Sequence, residues 1–546
     1  MVCPEKTSII QLVFALASVL AWARPTAALQ LSAAPQLPGI ETRAPASLRF
    51  HGSRSAELFT RESDESLRGV LEDSFQQKPS SQLPVGFVNA SLPGFPWAGT
   101  MWTRDGGTFM RELVMRGYYA HASLLAECLM HLVEKNEDGY YLFPEYFKGS
   151  QPASGKELDG TASIIIGMVL LEERLPAGDP TGEHVEKFLF DPASPLAYFQ
   201  KRLRGGGLIA GSGEFGCGFN FPGECVNVVQ NDLIALALMA AGNLAEETGR
   251  AALAKDYRGL ASGLQQEMLL HLVDRNHAWI WAIDPHTLQP DPAILSGNAN
   301  LGFGGLNGIA SMYPDVLGLT PLQSSWQGIQ VSENTFQRLY ETPLRKREFD
   351  EHGIWTQFDT YAAGLTTSPS YGQAYAMQAM LLFDKLDMVS KALDWLANAT
   401  YEPIPEYKLH RASPYYFYER YYPPEAVGKI PLAEGCGALN LVNVSEPLKI
   451  SRLILGVDDS TPGLLRVIPR LPTGWTSMEA NNWPVRTTSG VIYVTITYTS
   501  TASGADFVLT ATGGDRIPQL SVRLPSAQGT VWKTKRQVGS AHFVTH

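Results

Sequence analysis

Residues 97–116, W-A-G-T-M-W-T-R-D-G-G-T-F-M-R-E-L-V-M-R, decide how the rest of this chain is read. Trp97, Trp102, Arg104 and Asp105 crowd into its polar, aromatic beginning. Phe109, Met110, Leu113 and Val114 then follow at the spacing of one buried helical face, which predicts a helix over 107–116. Gly106 and Gly107 allow a sharp turn where the cluster meets that helix. Such a loop presents a flat ring, a forked cation and a carboxylate together. Sugars suit that surface, because their rings stack on aromatics and their hydroxyls take charge-assisted hydrogen bonds. The same residues also fit a plainer arrangement, with Asp105 capping the helix, paired with Arg104, beside two core tryptophans.

Helical spacing recurs from here to about residue 455. Further helices are expected over 119–134, 161–173, 195–204, 231–248, 251–272, 324–339, 370–383, 388–398 and 445–455. The loops between them are long and dense in Gly, Pro and aromatics, which in a compact domain marks functional loops. After Gly456 the texture changes: S-G-V-I-Y-V-T-I-T-Y-T-S, over 489–500, alternates as a half-buried strand. Strands are also expected over 464–468, 507–510 and 520–524. The fold class is therefore mainly α, a toroid of paired helices with a small C-terminal β-sandwich domain. The expected divisions are a signal peptide over 1–28, a leader over 29–85 with a short helix at 66–76, a helical domain over 86–458 and a β domain over 459–546.

A formal charge of −11 speaks against nucleic acid. The apolar run at 9–23, with Lys6 before it and Thr26-Ala27-Ala28 after, is too short for a membrane span and reads as a secretory signal, with no later run long enough to anchor the chain. Sequons at Asn89, Asn398 and Asn443 fit that route. In an oxidising compartment Cys217 and Cys225, in C-G-F-N-F-P-G-E-C, suit a local disulfide. In the chain-entropy model, closing so short a loop contributes roughly 2–3 kcal/mol. Cys128 lies in an apolar helical pattern and reads as a core residue, while Cys436 has no evident partner. No Cys and His have zinc spacing, so neither metal nor cofactor is expected.

The loops supply candidate carboxylates: Asp105, Glu145, Asp159, Glu214, Glu224, Asp359, Glu419 and Glu434. Asp159 is also placed to cap a helix, Glu419 to pair with Arg420, and Glu224 to answer a helix dipole. Trp355 and Tyr371 are further aromatic candidates for sugar contact. Glu214, in G-S-G-E-F-G, and Glu434, in L-A-E-G-C-G, lie among small residues where backbone approaches a ligand closely. Glycoside hydrolysis needs such a pair, one carboxyl to protonate the leaving oxygen and one to activate water or attack.

M-W-T-R-D-G-G before an amphipathic helix resembles the W-T-R-D motif of glucoamylase-like glycosidases of the six-hairpin superfamily. L-D-G-T-A-S from Leu158, V-V-Q-N-D-L-I-A-L-A-L from Val228, A-E-G-C-G-A-L-N-L from Ala433 and P-G-L-L-R-V-I-P-R-L-P-T-G-W from Pro462 resemble later pieces of that pattern, in order. The resemblance implies that Arg104 and Asp105 clamp the terminal sugar, that Trp102 walls its subsite, and that Glu214 is the general acid and Glu434 the base of an inverting, exo-acting hydrolase. Glu224 competes for the acid's place, with Asp359 and Glu419 as alternatives. Gly213 and Gly435 depart from the family's Trp and Gln beside these carboxylates, and nothing after Trp475 resembles a typical carbohydrate-binding module. Two rivals stand beside it. One is a polysaccharide lyase or unsaturated-uronide hydrolase using His410 and the tyrosines Tyr415, Tyr416, Tyr418, Tyr421 and Tyr422; the other is a non-catalytic sugar-binding protein.

Overall fold

The computed structural model describes residues 44–80, 82–92, 97–153, 158–212, 223–280, 282–290, 328–340, 372–401 and 441–546. These all belong to one compact unit, Leu37–His546. Its helices among the described residues are α1 (Arg54–Gly69), α2 (Thr103–Met115), α3 (Tyr119–Leu132), α4 (Leu158–Glu172), α5 (Pro180–Leu189), α6 (Pro195–Leu203), α7 (Val228–Glu247), α8 (Ala251–His271), α9 (Gly328–Tyr340), α10 (Gly372–Leu382), α11 (Leu386–Tyr401) and α12 (Leu441–Leu455).

They form two layers. Every residue of α2 and α12 is buried, and α4 is buried from Leu158 to Leu171. Helices covered all round belong inside, and α10, α12, α2, α4 and α7 pack side by side in that order as an inner arc. Helices α11, α1, α3, α5 and α8 pack outside them. The α7 stretch is long and apolar enough to cross a membrane, but it is 94% buried inside the chain. That corrects the expectation that no later run has such a length.

The inner helices run parallel. A Cβ on Gly160 would meet Thr103 Oγ1 at 2.3 Å, and one on Gly107 would meet the Ile164 nitrogen at 2.6 Å. Gly167 likewise faces Met110. Gly107 is thus a packing residue inside α2, where only hydrogen lets α4 approach. The sequence-based hinge at Gly106 and Gly107 is corrected accordingly: α2 starts at Thr103, so Arg104 and Asp105 ride in its first turn.

A buried ionic network joins α2 to α12. Glu112 accepts from Arg452 Nε at 3.1 and 3.2 Å and from Nη2 at 2.8 Å. Lys449 pairs with Glu446 at 2.9 Å, and Glu446 also accepts from Gln378 of α10. Burial raises the Glu112 carboxyl, but Arg452, Arg116 and Lys449 outweigh it and hold it below its ordinary value.

The C-terminal ends of the inner helices meet a β-sandwich. One sheet runs β1 (Ser47–His51), β10 (Ser477–Thr487), β11 (Gly490–Ser500), β12 (Ala505–Ala511), β15 (Ser540–Val544). The other runs β14 (Gly529–Val538), β13 (Ile517–Ser526), β9 (Leu464–Val467), β8 (Val457–Thr461). Alternate residues such as Ile492, Val494, Ile496 and Leu520, Val522, Leu524 fill the space between. Strand β1 comes from the expected leader and pairs with β10 from Ser47↔Asn481 to His51↔Ser477. The leader's helix is α1, over Arg54–Gly69 rather than 66–76; its buried face includes Ser55, Glu62, Ser63 and Ser66, which hides the apolar period.

Four carboxylates and two guanidinium groups sit at the junction of helices and sandwich. Arg174 pairs with Asp459 of β8 at 2.7 Å, while Arg486 of β10 pairs with Glu173 at 3.1 Å and with Glu247 of α7. Burial first, and carboxylate neighbours second, push Glu173 up to about 7 against Arg486 and Arg174. Glu172 reaches about 7 through burial, Glu173, Glu186 and Glu247, against Arg486. A carboxyl raised on folding stabilises most when both states are protonated, and that contribution is lost as pH rises through the folded value. Unfolding free energy should therefore fall by roughly 1–3 kcal/mol between about pH 5 and pH 8 through Glu173. Glu173→Gln should flatten the profile; an unchanged slope would remove Glu173 as its source.

Candidate active site

The N-terminal ends of the inner helices converge opposite the sandwich. A three-stranded sheet, β2 (Thr100–Trp102), β3 (Tyr146–Lys148) and β4 (Gln151–Ala153), leads into α2 and sets Trp102 opposite Tyr146. Thr103 fixes the junction: its amide donates to the Glu145 carbonyl at 3.1 Å and its hydroxyl to the Pro144 carbonyl at 2.7 Å. Above it Trp97, Trp102 and Tyr146 form a corner of three rings. Centroids lie 4.9 Å apart for Trp102–Tyr146 and 5.4 Å for Trp97–Trp102. Two of the rings keep partly open faces, since Trp97 and Tyr146 are half-buried.

In the first turn of α2, Arg104 lies between two carboxylates, Asp105 Oδ1 at 3.5 Å from Nε and Asp159 Oδ2 at 3.5 Å from Nη1. Asp159, in the first turn of α4, is fully buried and also accepts from the Gly160 backbone. Burial raises its carboxyl above the ordinary range, with Arg104 and the backbone acting against it. Asp159 thus pairs with Arg104 from within the first turn of α4, which starts at Leu158; the expected cap ahead of Thr161 is corrected accordingly. Parallel helix N-termini favour negative charge, and Asp105 and Asp159 stand in that field.

The next inner helix, α7, starts beside a second sheet, β5 (Ala210–Gly211), β6 (Cys225–Asn227) and β7 (Ala282–Ile283). Asn227 caps α7 through the Gln230 amide at 2.9 Å. Asn231 accepts from the Ile209 amide at 2.9 Å and donates to the Ile209 carbonyl at 3.0 Å, while Gln230 donates to the Ser212 carbonyl at 3.2 Å. These contacts anchor the chain on either side of residues 213–222. At α12, the Leu441 amide donates to the Ala90 carbonyl at 3.2 Å, and the Ala90 amide to the Thr100 carbonyl at 2.6 Å. The start of α12 thus lies at the same end as β2.

Of the sequence candidates, Trp97, Trp102, Arg104, Asp105, Glu145 and Asp159 come together. Glu224 is described and exposed, just ahead of β6. Glu214, Glu434, Trp355, Tyr371, Asp359, Glu419, Cys217, Cys436, His410 and the tyrosines of 415–422 lie outside the described residues, as do residues 1–28. Cys225 is buried and disulfide-bonded, whereas Cys128 is a buried free thiol. One sequon is corrected. Asn443 is fully buried in α12, with no room for a glycan. Asn89 is half-buried; its Nδ2 donates to the Ser74 carbonyl at 2.9 Å and its Oδ1 accepts from the Gly99 amide at 2.9 Å. The Asn398 side chain lies outside the described residues. Sequence reading missed Tyr146 and Asn231. Y-F-K pairing with T-M-W is the signal for the first, and N-D after an Asn cap four residues earlier for the second.

A helical body with parallel inner helices, an aromatic and acidic site at their N-termini and a C-terminal β-sandwich defines the architecture. No family model and no curated protein matches the sequence. Among solved structures the chain is similar to an α-L-rhamnosidase from Aspergillus terreus, with TM-score 0.51 and 11% identity over 91% of this chain and 50% of that one. It is also similar to an α-L-rhamnosidase from Dictyoglumus thermophilum, with TM-score 0.52 and 11% identity over 91% and 50%. The chain spans about half the length of these two proteins, and at that identity the likeness is one of fold.

Proposed function

We propose that this protein is a glycoside hydrolase that releases a terminal sugar by an inverting, two-carboxylate mechanism. The observation that carries this is Arg104, held between Asp105 and Asp159 two residues after Trp102, whose ring meets those of Trp97 and Tyr146. The rings stack on the apolar face of a sugar, and the Arg104–Asp105 pair exchanges hydrogen bonds with its hydroxyls. Glu214 serves as acid and Glu434 as base, a reading supported by the anchoring of Ser212 by Gln230 and the entry of α12 beside β2. We infer further that the arc of inner helices closes as an (α/α)6 toroid, that Cys217 is the partner of Cys225, and that the chain is secreted after cleavage near Ala28. The fold shared with two α-L-rhamnosidases makes an α-L-rhamnoside the first glycone to assay.

Asp105→Asn tests this site. Losing a charged acceptor for a sugar hydroxyl should lower kcat/KM about tenfold to a hundredfold, with the melting temperature nearly unchanged. A protein that melts much earlier while keeping its specific activity would make Asp105 a structural cap and remove it from the site.

A further inference from the structure

The small sheet that carries the aromatic corner has a second row of side chains on the same face. Met101 and Phe147 stand opposite each other and are fully buried, so Thr100, Trp102, Tyr146 and Lys148 turn to the other side. One row on that side is Trp102, Tyr146 and Ala153; the next is Thr100, Lys148 and Gln151. Strand β2 enters α2 at Thr103, so the second row lies two residues further from Arg104, about 7 Å along the strands. Lys148 and Gln151 are both exposed. The backbone that carries them is fixed, because β3 pairs with β2 on one side and β4 on the other, and the Gly149 amide donates to the Gly99 carbonyl at 2.8 Å. No carboxylate among the described residues pairs with Lys148, although the chain has a formal charge of −11. Lysines guard the edges of sheets against pairing, but β3 is the middle strand of its three. At Arg104 the balance is the opposite, since that guanidinium already stands between Asp105 and Asp159.

We propose that this second row binds the sugar next to the one released, and that this neighbouring sugar carries a carboxylate. The inference rests on the glycosidase reading and names its substrate class, a neutral terminal sugar linked to a uronic acid. The terminal ring lies in the corner of Trp97, Trp102 and Tyr146, where two carboxylates around one guanidinium disfavour a further anion. The next ring lies outward, where the Lys148 ammonium meets its carboxylate and the Gln151 amide its hydroxyls. Lys148 sets which neighbouring sugar is accepted and takes no part in breaking the bond.

Paired aryl glycosides test it, alike in glycone and differing only in a carboxylate or its methyl ester on the aglycone. Several neutral glycones are used, α-L-rhamnose first, with a terminal uronide beside them. The ratio of kcat/KM for acid over ester should fall about threefold in Lys148→Gln, as for an exposed ion pair, and about tenfold in Lys148→Glu, which adds repulsion. The intrinsic difference between the two leaving groups cancels, because each variant is compared with wild type on the same pair. The loss should lie in KM rather than kcat, with ester turnover and melting temperature unchanged. Salt at about 0.5 M should bring the wild-type ratio down to that of Lys148→Gln. An unchanged ratio in both variants, or an equal loss on acid and ester, would overturn this inference and leave the glycosidase reading in place. Hydrolysis of the terminal uronide in preference to the neutral glycones would overturn it as well. Turnover of no glycoside in the panel would overturn both.

Discussion

Glu214→Gln and Glu434→Gln should each fold normally and each lose about 10²–10⁴ in kcat, the contribution of a positioned acid or base. The expectation rests on what surrounds these stretches. Gln230 and Asn231 hold Ser212 and Ile209 ahead of the first, and Leu441 ties the end of the second to Ala90. Ser212 and Leu441, the described residues that border these stretches, therefore lie at the end of the inner helices where Arg104 stands between its aspartates. An inverting pair stands roughly 6.5–9.5 Å apart to admit a water, a retaining pair about 5 Å apart. The product should first appear with inverted anomeric configuration, and azide should partly restore Glu434→Gln on an activated substrate. If Glu224→Gln is inactive while Glu214→Gln is not, the acid is Glu224, which is exposed ahead of β6. If both Glu214 and Glu434 variants keep full activity, the two-carboxylate mechanism is wrong.

The largest loss of stability is expected from Arg452→Met. Glu112 and Arg452 are 1% and 2% exposed at their side chains and share three hydrogen bonds. Removing one partner leaves a buried charge, at a cost of about 3–5 kcal/mol. Replacing both, as Glu112→Gln with Arg452→Met, should recover most of that loss, because neither member of the pair is then left as a buried charge without the other. Denaturant unfolding of the three variants decides it. A single variant within about 1 kcal/mol of wild type would mean that the pair is screened or dispensable. The pair also sets α12 against α2, so the single variant should lose activity with stability and the double variant should regain both.

Helix α4 was legible because it is apolar on nearly every side, and I-I-I-G-M-V-L-L has no other place to go. The start of α2 was not. Two adjacent glycines read as a hinge until α4 is seen packed against Gly107. Helix α5 was missed although Asp179-Pro180 is a cap followed by proline at the first helical position, because its ten residues carry only a short apolar stripe. Strand β1 was missed because five residues decide nothing until β10 lies beside them. In the site, Arg104, Asp105 and Trp102 could be read from one motif, since they are neighbours in sequence. Tyr146 and Asp159 reach them only through the sheet and the helix crossing, which one sequence does not encode locally.

The proposed activity is tested most directly by incubating the protein with a panel of aryl glycosides and mixed polysaccharides, beginning with an α-L-rhamnoside. Free monosaccharide and absorbance from unsaturated products should be followed together. One released glycone without new absorbance, abolished in Glu434→Gln, is the expected result. Unsaturated product would make the chain a lyase, and binding of sugars with no release from any substrate would make it a non-catalytic carbohydrate-binding protein.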